Sequence, residues 1–222
     1  MKDESAYVLR ESTVPEGADM VICDQFFGED SEIRKLIVGK GARLRYVGVC
    51  MWNANIHIDI QSTSPESDVV CHVLVVAEGW WSPIVKVRGL LEASHTRIEV
   101  HMVSFLLAWG KSAMDGNIVI SPDIVKAAGH LLEENIILGE RVQIKTLPML
   151  DVRSNDVSAS HGARIEKLDA KKLFYLESKW ISPKDAKRLM IEGYVDDLLS
   201  ILEDDEQRMH IKDMVMWRVL AI

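Results

Sequence analysis

Between about Ala18 and Ile165 the chain is a succession of short runs rich in valine and isoleucine, several of them alternating apolar and polar residues. In NIHIDIQ, Ile56, Ile58 and Ile60 fall on one side and His57, Asp59 and Gln61 on the other; RIEVHMV repeats this with Ile98, Val100 and Met102. A period of two is that of a strand with one buried face. Similar runs occur at 20–22, 37–38, 44–49, 69–76, 84–87, 118–120, 136–138, 142–144, 149–152 and 163–165. So many short strands without intervening helices exclude a parallel sheet built from βαβ units and leave a sandwich, a barrel or a β-helix. Residues 1–17 are polar, with Pro15 and Gly17 as turn formers, and are predicted to be a lead-in to a β core over 18–168. Residues 121–132 are ambiguous, because their Ser-Pro start also suits a helical turn.

From Asp169 the period changes, and 169–222 is predicted as a small C-terminal helical domain. Asp169 is placed to cap a helix carrying Leu173, Leu176 and Trp180 on one stripe. Ser182-Pro183-Lys184-Asp185 combines a capping serine, a proline in the first turn and an early acid. The helix it opens runs through Ala186, Leu189, Met190, Tyr194, Leu198 and Leu202. Residues 203–206, all acidic, open a last helix with Ile211, Val215 and Val219 on one face.

Composition narrows the function classes. With 222 residues and 48% hydrophobic content the chain can bury a substantial core. A net charge of -8 argues against a nucleic-acid partner, since backbone phosphates are held by basic faces. Three cysteines without CxxC spacing fit neither a disulfide framework nor a zinc knuckle, and a reducing, cytoplasmic setting is expected. The N-terminus lacks the apolar run of a signal peptide and no later stretch has the length of a membrane span, so no membrane partner is expected.

Candidate chemistry is sparse. Cys50, His57, Cys71 and His72 form a cluster of metal-ligating types, and stacking of successive solenoid turns would let Cys50 and Cys71 approach one another; buried inert thiols are the competing reading. His95 and His101 are read on one alternating strand, and of the adjacent Trp80 and Trp81 at least one is expected in the core. Gly110-Lys111-Ser112 is not a phosphate loop, because Phe105 stands where the earlier glycine is required. There is no Gly-x-Ser-x-Gly elbow and no HExxH helix, although paired carboxylates of a carbohydrate-cleaving β-helix leave no local motif.

Residues 157–194 join the two kinds of structure. Ser160 to Ala163, read as a turn carrying His161, lead through Lys167-Leu168-Asp169 and Leu173-Phe174-Tyr175-Leu176 to Ile181-Ser182. This series resembles the C-terminal signature of the SufB/SufD family, scaffold proteins of the SUF iron-sulfur cluster assembly system. The resemblance is specific over about 65 residues and fades before Leu131.

The resemblance implies a right-handed parallel β-helix followed by a helical domain. It also implies a SufC-like ABC ATPase docked on the helical end, with Phe174, Tyr175, Ile181, Leu189 and Tyr194 as contact residues, and a homodimer or a heterodimer with a SufB/SufD relative joined through the end of the β-helix. A transient iron-sulfur cluster would be the cargo, ATP would enter only through the ATPase, and the chain itself would be no enzyme. His161 matches the histidine implicated in cluster building in SufD-like members, with Glu133 and Glu134 as candidate oxygen ligands or a solvated pair on a turn. Gly162 stands where SufB-like members carry glutamate, and their sulfur-accepting cysteine falls on or near Glu133. The other readings are a carbohydrate-active β-helix enzyme and a structural paralogue that only recruits the ATPase.

Overall fold

The computed structural model describes residues 7–29 and 31–220, and the chain within them is a parallel β-solenoid with three C-terminal helices. Odd-numbered strands β1 (Val8–Val14), β3 (Ser31–Val38), β5 (Asn55–Ser62), β7 (Ile84–Leu91) and β9 (Lys111–Ile120) stack into one sheet, closed by β11 (Gln143–Thr146) and β12 (Met149–Val152), which both pair with β9. The second sheet runs β2 (Asp19–Gly28), β4 (Arg43–Trp52), β6 (Asp68–Ala77), β8 (Arg97–Leu106), β10 (Ala127–Ile137) and β13 (Val157–Lys167). Val8 stands opposite Glu32, Asn55 opposite Ile84 and Lys111 opposite Gln143, so one coil lengthens from 24 to 29 to 32 residues. Residues 8–14, expected in the polar lead-in, are therefore the first strand; residues 1–6 lie outside the described residues.

Each coil turns at two corners, and every corner before the last one, at 153–156, uses a residue in the left-handed backbone region. One corner has Gly17, Gly41, Glu66, His95 and Lys126; the other has Gly28, Trp52, Gly79, Trp109 and Arg141. At the first corner the N–H of each such residue donates to the next coil: Gly17 to Lys40 O (2.8 Å), Gly41 to Pro65 O (3.0 Å), His95 to Val125 O (3.0 Å) and Lys126 to Asp156 O (2.7 Å). The stacked bond offsets the strain of a positive φ in non-glycine residues. His95 thus sits in a corner, not on the strand of His101, and residues 121–126 make a corner rather than a helical turn.

The two sheets differ in what they bury. Strand β9 alternates throughout and β5 alternates from Ile56 onward, with one face in the core between the sheets and the other partly open to solvent. In β4, β6 and β8 the alternation gives way to continuous burial toward the C-terminal end. There the outward side chains Val47, Val49, Leu74, Val76, Val103 and Phe105 pack under helices α2 (Pro183–Leu199) and α3 (Asp205–Val219), through Ile191, Val195, Leu198, Ile211 and Val215. A strand covered on both faces reads as an unbroken apolar run.

The helix starts follow the caps. Asp169 accepts from the backbone of Lys171 and Lys172 ahead of α1 (Ala170–Ser178), Ser182 from Asp185, and Asp204 from Glu206 and Gln207. Helix α1 buries none of its residues, whereas α2 and α3 form a layer on the second sheet.

Candidate functional site

The last coil of the solenoid ends in strands with one free side. Strand β13 pairs with β10 alone, and β11 and β12 pair with β9 alone, so their outer edges leave backbone donors and acceptors open among the described residues. His161, expected in a turn, lies within β13 and is exposed; the small residues around it belong to an edge strand with little to bury. Its Nδ1 lies 3.0 Å from the Pro148 carbonyl oxygen. A carbonyl only accepts, so Nδ1 carries the proton and Nε2 of the neutral ring keeps a bare lone pair, the arrangement of a metal-ligating or basic histidine.

Glu133 and Glu134, weighed as a solvated pair on a turn, are both buried in the middle of β10. Neighbouring residues of a strand face opposite ways, and these two carboxylates serve separate surroundings. Glu133 points into the solenoid, where Oε1 accepts from Gly116 N–H at 2.7 Å and Oε2 from the Thr146 hydroxyl. Burial pushes its carboxyl above the usual range, opposed by the Thr146 and Gly116 donors. Only Glu133 shares the neighbourhood of His161: it anchors Thr146, and His161 anchors to Pro148 two residues on. The opposed faces also leave this pair unsuited to acid–base work on a glycosidic bond.

Glu134 faces the helical layer and is engaged there, which removes it as a ligand beside His161. It binds His101 Nε2 at 2.7 Å and the Arg164 guanidinium, while Arg164 approaches Glu166 at 3.9 Å and Tyr194 donates to Glu166 at 3.3 Å. His101 is the register partner of His72, and their rings meet edge to face at 5.8 Å. His72 Nδ1 donates to the carbonyl of Leu198 at 2.8 Å, in the last turn of α2 where carbonyls lack helical partners. Sequence patterning did not single out this line, although His72 and His101 lie one coil apart; finding it requires the coil length.

Burial holds the His72 pKa below its ordinary value, with the Leu198 bond acting the other way and His101, Asp197 and Glu99 nearby. The unfolded chain therefore takes up that proton first. This contribution to stability is complete above the ordinary value of about 6.5 and is lost as pH falls through the lower folded value. Urea midpoints should fall more steeply between pH 7 and 5 for the native chain than for His72→Asn, which keeps a donor without a proton to bind; parallel slopes would refute the assignment.

On the outer face of the second sheet a shallow groove of about 320 Å³ lies over Gly162, edged by Glu99, His101, His130, Ser160 and His161. His130 Nδ1 and Ser160 Oγ are 2.8 Å apart, and Glu99, His130 and Ser160 share one register.

The cysteine cluster does not form. Cys50 stands opposite Val75 and Cys71 opposite Tyr46, so register separates them by four residues. Both are wholly buried among apolar side chains, which pushes both thiols far up. His57 lies on the other sheet, and His72 faces the helices instead. Among the described residues no group of three or more His, Cys, Asp or Glu side chains is arranged to hold a metal. Neither adjacent tryptophan is in the core: Trp80 is 91% exposed, and the half-buried Trp81 meets Trp52 edge to face and carries the Arg218 guanidinium 4.3 Å above its ring.

Of the helical contact candidates, Phe174 and Tyr175 are exposed on α1 and Leu189 on α2, whereas Ile181 is half-buried. Tyr194 is half-buried, turned inward against Phe105 and Glu166. A groove of about 540 Å³ separates α1 from the layer beneath, with Leu168, Leu173 and Ile191 on its walls and Lys167, Lys184 and Lys187 at its rim.

Residues 57–194 match the family model described as SUF system FeS cluster assembly, SufBD core domain, which is more than half of the chain. The chain belongs to the SufBD family. Its SufBD segment begins well before Leu131, taking in β5 to β10 as well as the terminal coil and most of α2. SufD of Escherichia coli is 28% identical over 110 residues, which are 50% of this chain and 25% of that protein. A SufBD family protein of Synechocystis is 28% identical over 91 residues, 41% of this chain and 20% of the relative, and one of Pyrococcus horikoshii is 31% identical over 74 residues, 33% and 17%. The matched segment thus spans about a quarter or less of these SufBD relatives. No helix among the described residues is long and apolar enough to cross a membrane.

Proposed function

We propose that this chain is a non-enzymatic scaffold subunit of SUF iron-sulfur cluster assembly, in which the cluster is cargo. The observation that carries the reading is His161. In a SufBD core it presents a bare Nε2 from an exposed strand at the open end of the solenoid. Imidazole nitrogen suits iron, and an open strand edge is a template for a second chain. Dimerisation along β13, with β11 and β12 beside it, brings a second set of ligands opposite His161. Glu133 is occupied by internal donors and stands at or near the position where the resemblance places the sulfur acceptor of SufB-like members, so the sulfur-accepting thiol comes from the partner chain.

An ABC-type ATPase docks on the other surface, the exposed face of α1 and the groove beneath it. Phe174 and Tyr175 are largely solvent-exposed there, an arrangement that suits aromatic anchors of an interface. ATP hydrolysis in that partner drives the opening and closing of the dimer edge.

The chain is to be co-purified with its cognate ABC ATPase and a SufB-type relative, then reconstituted anaerobically with iron and sulfide. A stable complex is expected, with cluster absorbance that falls at least tenfold in His161→Ala. Failure to form the complex would overturn the docking half of the proposal, and undiminished absorbance in the variant would overturn the role of His161.

A further inference from the structure

The strand edge that carries His161 is tied to the interior of the solenoid through one buried carboxylate. Two short strands, β11 and β12, pair with β9 in the same register on either side of the segment Thr146-Leu147-Pro148: Thr146 opposes Met114 and Met149 opposes Asn117. Glu133 reaches across from the opposite sheet to this junction. It receives the Thr146 hydroxyl and the Gly116 N–H, while the next N–H, that of Leu147, donates to Met114 O of β9 at 3.1 Å. Space for the carboxylate is built in, since a Cβ on Gly116 would lie 2.8 Å from Glu133 Oε1. Beyond the clasp, Pro148 has a fixed φ and presents the carbonyl that receives His161 Nδ1–H.

We propose that Glu133 is the positioning residue for His161: by clasping Thr146 it sets the Pro148 carbonyl two residues on, and that carbonyl fixes the ring orientation and the tautomer with a bare Nε2. Glu133 touches no cargo. That His161 serves cluster assembly rests on the reading above, whereas the clasp stands in the isolated chain and has its own readout.

The test is nitrogen-15 NMR of the histidine rings in the full chain at a pH where His161 is neutral. His161 is expected as the Nδ1–H tautomer. In Glu133→Ala the ratio should move about three- to tenfold toward Nε2–H, corresponding to the loss of one neutral hydrogen bond. Glu133→Gln should restore the native ratio, because its amide oxygen accepts from Gly116 while its amide N–H donates to the Thr146 hydroxyl oxygen. Thr146→Val, a milder change, should shift the ratio in the same direction as Glu133→Ala and serves if that variant fails to fold. An unchanged tautomer in a folded Glu133→Ala or Thr146→Val chain would overturn the clasp. Cluster absorbance of the reconstituted complex should follow the tautomer across these variants. A tautomer that shifts while absorbance stays constant leaves the clasp standing and sinks the cluster role instead.

Discussion

Gly139→Ala is expected to destabilise the solenoid by more than about 3 kcal/mol, at the upper end of single-residue effects. A Cβ at Gly139 would lie 2.1 Å from Ala108 N, 2.5 Å from the Leu107 carbonyl carbon and 2.6 Å from Ala108 Cα. All three are backbone atoms of the preceding coil, so no rotamer change relieves the contact and the coils must separate at that corner. Separation also strains the Gly139 N–H bond to Leu106 O, 3.0 Å in the native chain. Gly110→Ala should behave alike, its Cβ falling 2.3 Å from Ala77 O. The internal control is Gly193→Ala inside α2. Apart from the helix's own neighbouring backbone, no atom lies within 4 Å of the added methyl there, and replacing a helical glycine should stabilise by about 0.5–1 kcal/mol. Urea unfolding of the three variants decides the matter: a Gly139→Ala midpoint near that of Gly193→Ala would mean that the coils are not in contact at this corner.

Much of this architecture was legible in the sequence because solenoid strands obey a local rule. The alternation in NIHIDIQ and RIEVHMV, the caps at Asp169, Ser182 and Asp204, and the buried stripe Ile211, Val215 and Val219 depend on residues close in the chain. What escaped depends on coil length. Glu133 and Glu134 resemble a solvated turn until Gly116, Thr146, His101 and Arg164, each on another strand, or at the end of one, supply their partners. Cys50 and Cys71 resemble a metal pair until register sets them four residues apart. The family resemblance identified His161, but its ring orientation depends on a carbonyl thirteen residues away. Strand β1 escaped for a further reason: of its inward positions only Val14 is fully buried, because the first coil is closed by charge rather than by apolar side chains.

That charged closure leads to the second large effect. Asp24→Ala is expected to cost about 3–5 kcal/mol, the range for removing one partner of a buried ion pair. Arg34 Nε donates to Asp24 Oδ2 at 2.7 Å, and both side chains are at least nine-tenths buried. The remaining guanidinium donors reach Ser12 Oγ at 3.0 Å and the Arg10 carbonyl at 3.3 Å, so Arg34 ties β1, β2 and β3 together. Truncating Asp24 leaves a buried cation opposed only by neutral acceptors. Arg10, which approaches Asp24 at 3.5 Å, would add a second positive charge to the same place. Replacing both partners by apolar residues of similar volume, Asp24→Leu with Arg34→Met, removes the desolvation cost along with the attraction. The double variant should therefore recover to within about 1 kcal/mol of the native chain. Chemical unfolding of the two single variants and the double variant forms a closed cycle. Single variants that each lose less than about 1 kcal/mol would show that solvent reaches the pair, and that the first coil is held by its apolar neighbours Leu36, Val38 and Leu44.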